Sequence, residues 1–102
     1  LTLPNFSEDY EHGWQSFVLL VDELKSPKSR NAIMKELQEK GISTRPGTHA
    51  VHMLSFYAKK YKISPSDYPG AHIANNKSIS IPLHNQMVKE DFEYVIYCLK
   101  NI

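Results

Sequence analysis

The sequence has little cysteine, little glycine and almost no net charge. A single cysteine, Cys98, occurs in 102 residues, which excludes an internal disulfide and a zinc site built from several cysteines. We expect Cys98 to be a small core residue. Four glycines are too few for a dinucleotide-binding fingerprint, and the chain has neither a Gly-x-Ser-x-Gly nucleophile elbow nor a Gly-rich phosphate loop. The chain therefore contains no self-contained catalytic motif.

Charge and hydropathy exclude two further classes of protein. Twelve basic residues are balanced by eleven acidic ones, so the net charge is +1, and the sequence has no basic block. A nucleic-acid-binding domain usually carries a cluster of basic residues, so this composition disfavours that class. No apolar run approaches the roughly 18 residues of a membrane helix, and the N-terminus lacks a signal-peptide pattern. We therefore expect one cytoplasmic domain that has neither nucleic acid nor membrane as a partner.

Hydrophobic periodicity and turn residues predict the element order β-α-β-α-α-β-α. The first three expected elements are a strand over 17–21 covered on both faces, a helix over 27–40 capped by Ser26, and a strand over 42–45 stopped by Pro46-Gly47. Two helical stretches follow, one over 48–62 capped by Thr48 and one interrupted at Pro69-Gly70. The last two elements are a strand over 78–83 and a closing helix with the apolar stripe Phe92, Val95, Ile96 and Leu99. Three short strands under three or four helices predict an α+β fold, a two-layer α/β sandwich. The pattern leaves open whether the first two strands are parallel or antiparallel, and whether Pro82 marks an edge strand or the end of a strand.

The segment after the second predicted strand holds the candidate binding residues, Arg45, His49 and His52. A guanidinium binds carboxylate or phosphate through two parallel hydrogen bonds, so Arg45 followed by the Pro46-Gly47 turn is suited to binding an anion. The alternative is that Arg45 is a surface arginine that ends a strand. His49 and His52 are three residues apart and would share one face of a helix. No third or fourth ligand lies close in sequence, so we predict no metal site.

From Gly41 to His52 the sequence GISTRPGTHAVH, followed by Phe56-Tyr57, resembles the C-terminal part of the DegT/StrS-type sugar aminotransferases. The resemblance covers almost the whole chain, including GWQSF at 13–17, the helix from Arg30 to Leu37, SIPLH at 80–84 and the closing helix from Met87 to Leu99. Val88 and Asn31 depart from the family pattern, which usually has a capping Thr or Ser and an acidic residue at these two positions.

The resemblance implies a pyridoxal-phosphate enzyme of the aspartate-aminotransferase fold, which aminates keto-sugars attached to nucleotides during polysaccharide biosynthesis. In that family the Schiff-base lysine and most cofactor contacts belong to a large N-terminal domain. The loop-like residues Leu3 to Asp9 indicate a linker-like segment over 1–12, in a chain that is either processed or excised from a longer protein. The resemblance implies that residues 13–102 form a C-terminal small domain. This domain would close over the active site and shape the substrate pocket.

The same resemblance implies that Arg45, His49 and His52 contact the substrate, and that no residue of this chain is catalytic or binds the cofactor. The isolated chain is then expected to be inactive. The implied partners are the N-terminal cofactor domain of the same enzyme, a nucleotide-sugar and a second copy in a homodimer. The alternative is a stand-alone regulatory or protein-interaction module derived from that family.

Overall fold

The computed structural model describes residues 1–102 as three strands, four α-helices and two short 3-10 turns. In chain order these are β1 (Phe17–Leu20), α1 (Arg30–Glu39), β2 (Arg45–Pro46), a 3-10 turn (Val51–Met53), α2 (Ser55–Tyr61), a 3-10 turn (Pro65–Asp67), α3 (Pro69–Lys77), β3 (Ser78–Ile81) and α4 (Lys89–Lys100). The predicted order β-α-β-α-α-β-α and the α+β class are both confirmed. None of these helices has the length and apolar character needed to cross a bilayer.

The sheet has the order β1-β3-β2, with the last strand of the sequence at its centre. Both outer strands run antiparallel to β3, with Leu19 opposite Ile79 and Arg45 opposite Ser80. Because β1 and β2 flank the same antiparallel neighbour, they point in the same direction but never pair. Pro82 follows the end of a central strand, so it marks the end of a strand and not a sheet edge.

The core lies between one face of the sheet and the helices α1 and α4. Its buried members are Leu19, Val21, Ile33, Leu37, Ile42, Ile79, Val95 and Cys98. Cys98 is a small buried residue, as expected. The prediction that the first strand is covered on both faces is wrong, since Leu20 is 40% exposed. An antiparallel sheet buries only alternate residues where one face lacks a covering layer.

Helix α1 begins three residues later than predicted. The hydroxyl of Ser29 accepts a hydrogen bond from the Ala32 N–H at 3.4 Å and caps the helix. Ser26, the predicted cap, forms a local turn instead, because its hydroxyl donates to the Lys28 carbonyl at 2.7 Å. Two serines three residues apart offer the same capping chemistry, and the turn at Ser26 leaves the cap to the second.

The middle of the chain contains less regular structure than predicted. The predicted strand 42–45 is reduced to Arg45–Pro46, and Pro46 belongs to the strand because an edge strand tolerates a missing N–H. The stretch 48–62 is not one helix capped by Thr48: residues 48–50 are not helical, and a 3-10 turn precedes α2. Pro69 begins α3 and does not interrupt it, which suits the first helical position.

The closing helix α4 is present, but its buried stripe is shifted by comparison with the prediction. Val95 and Cys98 are buried, whereas Phe92 and Ile96 are 38% and 49% exposed. Valine at position 88 has no side-chain acceptor for capping; the Asp91 carboxylate instead accepts from the Val88 N–H at 3.0 Å. Of the predicted stripe, Val95 therefore lies within the core, while Phe92, Ile96 and Leu99 lie at its border.

Residues 1–12 join the sheet through a single backbone bridge. Thr2 forms an antiparallel bridge with Leu20, through backbone N–O distances of 2.8 and 3.0 Å. This bridge extends the sheet beyond β1 and brings Leu1 and Leu3 next to α4.

Candidate functional site

The candidate site is the loop from Arg45 to His49, which leaves the edge strand β2 and exposes the side chains of both residues. Arg45 lies opposite Ser80 in the ladder, so its backbone position is fixed by the sheet. Its guanidinium forms no ion pair within the chain, and it is free to bind an anion from outside.

Gly47 places this loop directly against the central strand. A Cβ atom added to Gly47 would lie 2.5 Å from Cγ1 of Val18, 2.7 Å from Oγ of Ser78 and 2.8 Å from Cβ of Ser78. The Gly47 N–H donates to the Ser78 carbonyl at 3.3 Å, and Ser78 is only 2% exposed. Glycine is required here by close approach and not by its backbone angles.

The far end of the loop is held by helix α3. The buried Ala50 donates its N–H to Oδ1 of Asn75 at 2.9 Å. Contacts with β3 at Gly47 and with α3 at Ala50 therefore fix the backbone on both sides of His49. Such fixed ends lower the entropy that a binding loop loses when it takes up a ligand.

His52 differs from Arg45 and His49, which are both exposed. It is buried, with its ring 5.1 Å from the Tyr68 ring and its Nε2 atom 3.3 Å from the Pro65 carbonyl oxygen, to which Nε2 donates. Because residues 48–50 are not helical, the helical face that His49 and His52 were expected to share does not form. No group of three or more His, Cys, Asp or Glu side chains is arranged to hold a metal ion.

Two residues that position the loop were not recognised in the sequence. Asn75 lies 25 residues from the amide it binds, and an asparagine within a helical stretch gives no local signal of that contact. Arg30 extends from α1 to the Ser78 carbonyl, 48 residues away, with Nη1 at 3.1 Å. Its position in the family-like segment at 30–37 was the only available sign of a role.

Two solved aminotransferases contain a part with the same architecture as this chain. One is Spr1654 of Streptococcus pneumoniae, whose name assigns it to the sugar aminotransferases, and which is solved in PLP, PMP and apo forms. It superposes on this chain with a TM-score of 0.72 and 26% sequence identity. The match covers 84% of this chain and 21% of Spr1654. The aminotransferase TlmJ of Streptoalloteichus hindustanus shares the fold with a TM-score of 0.77, at 21% identity over 96% of this chain and 24% of its own.

Residues 1–100 match the DegT/DnrJ/EryC1/StrS aminotransferase family, and the chain belongs to it. The spore coat polysaccharide biosynthesis protein SpsC of Bacillus subtilis (strain 168) is 29% identical over 103 aligned positions, which cover all of this chain and 26% of SpsC. The family resemblance is thus confirmed. The chain spans about a quarter of the length of these relatives.

The lysines of this chain do not fit a pyridoxal-phosphate site. None of the ten is buried, whereas a Schiff-base lysine is activated in a pocket that lowers its pKa. Lys40 shows the opposite effect: its hydrogen bond to Glu36 raises the pKa of its ammonium group. No step of cofactor chemistry is therefore assigned to these residues.

Proposed function

We propose that this chain is the C-terminal small domain of a pyridoxal-phosphate-dependent nucleotide-sugar aminotransferase, and that it closes over the active site and shapes the substrate pocket without being catalytic alone. The observation that carries the proposal is the family match over residues 1–100 in a chain about a quarter as long as its relatives. The names of Spr1654 and SpsC, which mention sugar and spore coat polysaccharide, support a sugar substrate and a role in polysaccharide biosynthesis. The proposal places the enzyme in the cytoplasm.

In the complete protein, pyridoxal phosphate supplies the amino-transfer chemistry, and its lysine belongs to a domain outside these 102 residues. Residues 1–12 then link that domain to the small domain at 13–102. The implied assembly is a homodimer of the complete enzyme.

The residues of this chain contribute substrate contacts. The Arg45 guanidinium is suited to the phosphates that a nucleotide-sugar carries, because its planar set of donors matches two oxygens at once. The exposed His49 imidazole offers a donor or acceptor to sugar hydroxyls. His52, included in the binding set by resemblance, is assigned to holding the loop through its contacts with Pro65 and Tyr68.

Substitution of the loop residues in the complete enzyme tests this role. We expect Arg45→Ala and His49→Ala each to raise the KM for the nucleotide-linked keto-sugar about tenfold, the loss of one interaction of about 1.4 kcal/mol. The cofactor absorbance and the thermal melt should stay unchanged. Lys89→Ala and His84→Ala remove an exposed charge and an exposed imidazole elsewhere and serve as matched controls.

Unchanged KM values in both loop variants would remove the loop from the substrate pocket. A complete protein that binds nucleotide-sugar but transfers no amino group would contradict the proposed aminotransferase activity and favour the alternative, a regulatory or protein-interaction module.

A further inference from the structure

The chain exposes more surface than a self-sufficient domain of its mass. Its accessible surface is 7764 Å², whereas a folded monomer of 11.7 kDa has about 5,900 Å². Its radius of gyration is 15.6 Å, against about 13 Å for a compact domain of this length. The difference of about 1,900 Å² is more than twice the area that one partner contributes to a standard interface.

Part of the exposed apolar surface, including Leu1, Leu3, Phe92 and Ile96, lines one groove. The groove has a volume of about 700 Å³ and lies between α4, the ends of β1 and β3, and the first three residues of the chain. Except for Pro82 and Lys100, its walls consist of leucine, isoleucine and phenylalanine side chains. Phe92, Ile96 and Leu99 of α4 form one wall, so these three residues of the predicted apolar stripe are not fully buried, unlike Val95. The apolar side chains of this groove are suited to packing against hydrophobic side chains of another element.

We infer that this groove, in the complete enzyme of the proposed function on which this inference rests, is filled by the apolar face of the segment that precedes Leu1. Leu1 and Leu3 are themselves part of the groove wall, and the Thr2 bridge to Leu20 fixes them there. A polypeptide joined to Leu1 therefore starts inside the groove. The relatives are long enough to contain such a segment, since this chain covers only 26% of SpsC and 21% of Spr1654.

The occupant is held at high effective concentration because it is covalently joined to the groove, so packing needs no separate association step. The apolar lining indicates that the occupant presents hydrophobic side chains, with Lys100 as the only charged group at the rim. The groove is then an internal surface of the longer protein, and α4 belongs to the boundary between its parts.

Thiol labelling at two neighbouring positions of α4 tests this inference. Ile96→Cys introduces a thiol in the groove wall, and Tyr97→Cys introduces one at a position that is 65% exposed and outside the groove. Both variants are prepared in the 102-residue chain and in the complete protein, and maleimide labelling is followed by peptide mass spectrometry. The native Cys98, which is buried, reports in every sample whether the fold is intact.

We expect the thiol from Ile96→Cys to react at least about tenfold more slowly in the complete protein than in the 102-residue chain. The thiol from Tyr97→Cys should react at similar rates in both. Equal rates for Ile96→Cys in the two proteins would overturn the inference. Slowing in the 102-residue chain that increases with its own concentration would also overturn it, because the occupant would then be a second copy.

The labelling does not depend on catalysis, so the two proposals fail separately. A complete protein that aminates keto-sugars but leaves the Ile96→Cys thiol reactive contradicts the groove alone. A protein with a protected thiol and no amino transfer contradicts the proposed function alone.

Discussion

Replacement of Gly47 by alanine should destabilise the fold through a steric clash at the centre of the sheet. The added methyl would lie 2.5 to 2.8 Å from three atoms of Val18 and Ser78, whereas carbon atoms in contact are normally about 3.5–4.0 Å apart. Ser78 is on the central strand and Val18 is β-branched, so neither moves without a shift of the strand backbone. The loop must therefore shift by about 1 Å, and overpacking of this kind costs about 1–3 kcal/mol.

Urea unfolding of the chain, followed by circular dichroism, measures this cost. A loss of about 1–3 kcal/mol lowers the urea midpoint by about 1 M for a domain of this size. Gly70→Ala is the matched control, since it lies in α3 with no heavy atom within 4 Å of an added Cβ. There alanine should be neutral or stabilising by up to about 1 kcal/mol.

A second variant identifies the atoms responsible. Val18→Ala removes the nearest of the three contacts, so the cost of Gly47→Ala should be smaller in that background than in the wild-type chain. The reasoning is refuted if Gly47→Ala has the same midpoint as Gly70→Ala, because the loop would then not be packed against β3.

The remaining predictions concern α1 and α4. Hydrogen bonds from Lys28 and Lys40 lower the pKa of Glu36 below its usual value of 4.5. The ionised Glu36 carboxylate therefore stabilises the fold above that pH, and this stabilisation is lost as the pH falls through the lowered pKa. Glu36→Gln should consequently flatten the decline of the urea midpoint between about pH 5 and pH 3. Leu37→Ala should cost about 2–5 kcal/mol because Leu37 is fully buried, whereas Leu99→Ala at the groove should cost less than half as much in the 102-residue chain. Equal urea midpoints for the two leucine variants would contradict the assignment of Leu99 to an open groove.

Features encoded by neighbouring residues were predictable from the sequence. The order of elements follows from local periodicity, and the end of β2 at Pro46, before Gly47, follows from residue type. Element ends were less predictable where two residues offered the same chemistry, as Ser26 and Ser29 do. Periodicity identified the apolar side of α4 but not which part of it meets the core, because that depends on the position of the sheet.

The residues of the candidate site also differ in how far the sequence predicts their surroundings. Arg45 and His49 lie at the two ends of one exposed loop, and polar residues beside a glycine in a loop are expected to be exposed from the sequence alone. His52 was grouped with them by spacing, but its burial depends on Pro65 and Tyr68, which approach it only after the chain has folded back. The contact of Asn75 with the loop has the same long-range origin, and residue patterns carry no information about it.

The central position of β3 has a consequence for synthesis of the chain on the ribosome. Both outer strands pair only with β3, the last of the three strands to be made, and β1 must wait for a partner about 60 residues further along the sequence. Until Ile81 has left the exit tunnel, the nascent chain has no sheet, and its hydrophobic strands remain open to chaperones and to aggregation. Folding of this unit is therefore a late event, which requires the final quarter of its sequence.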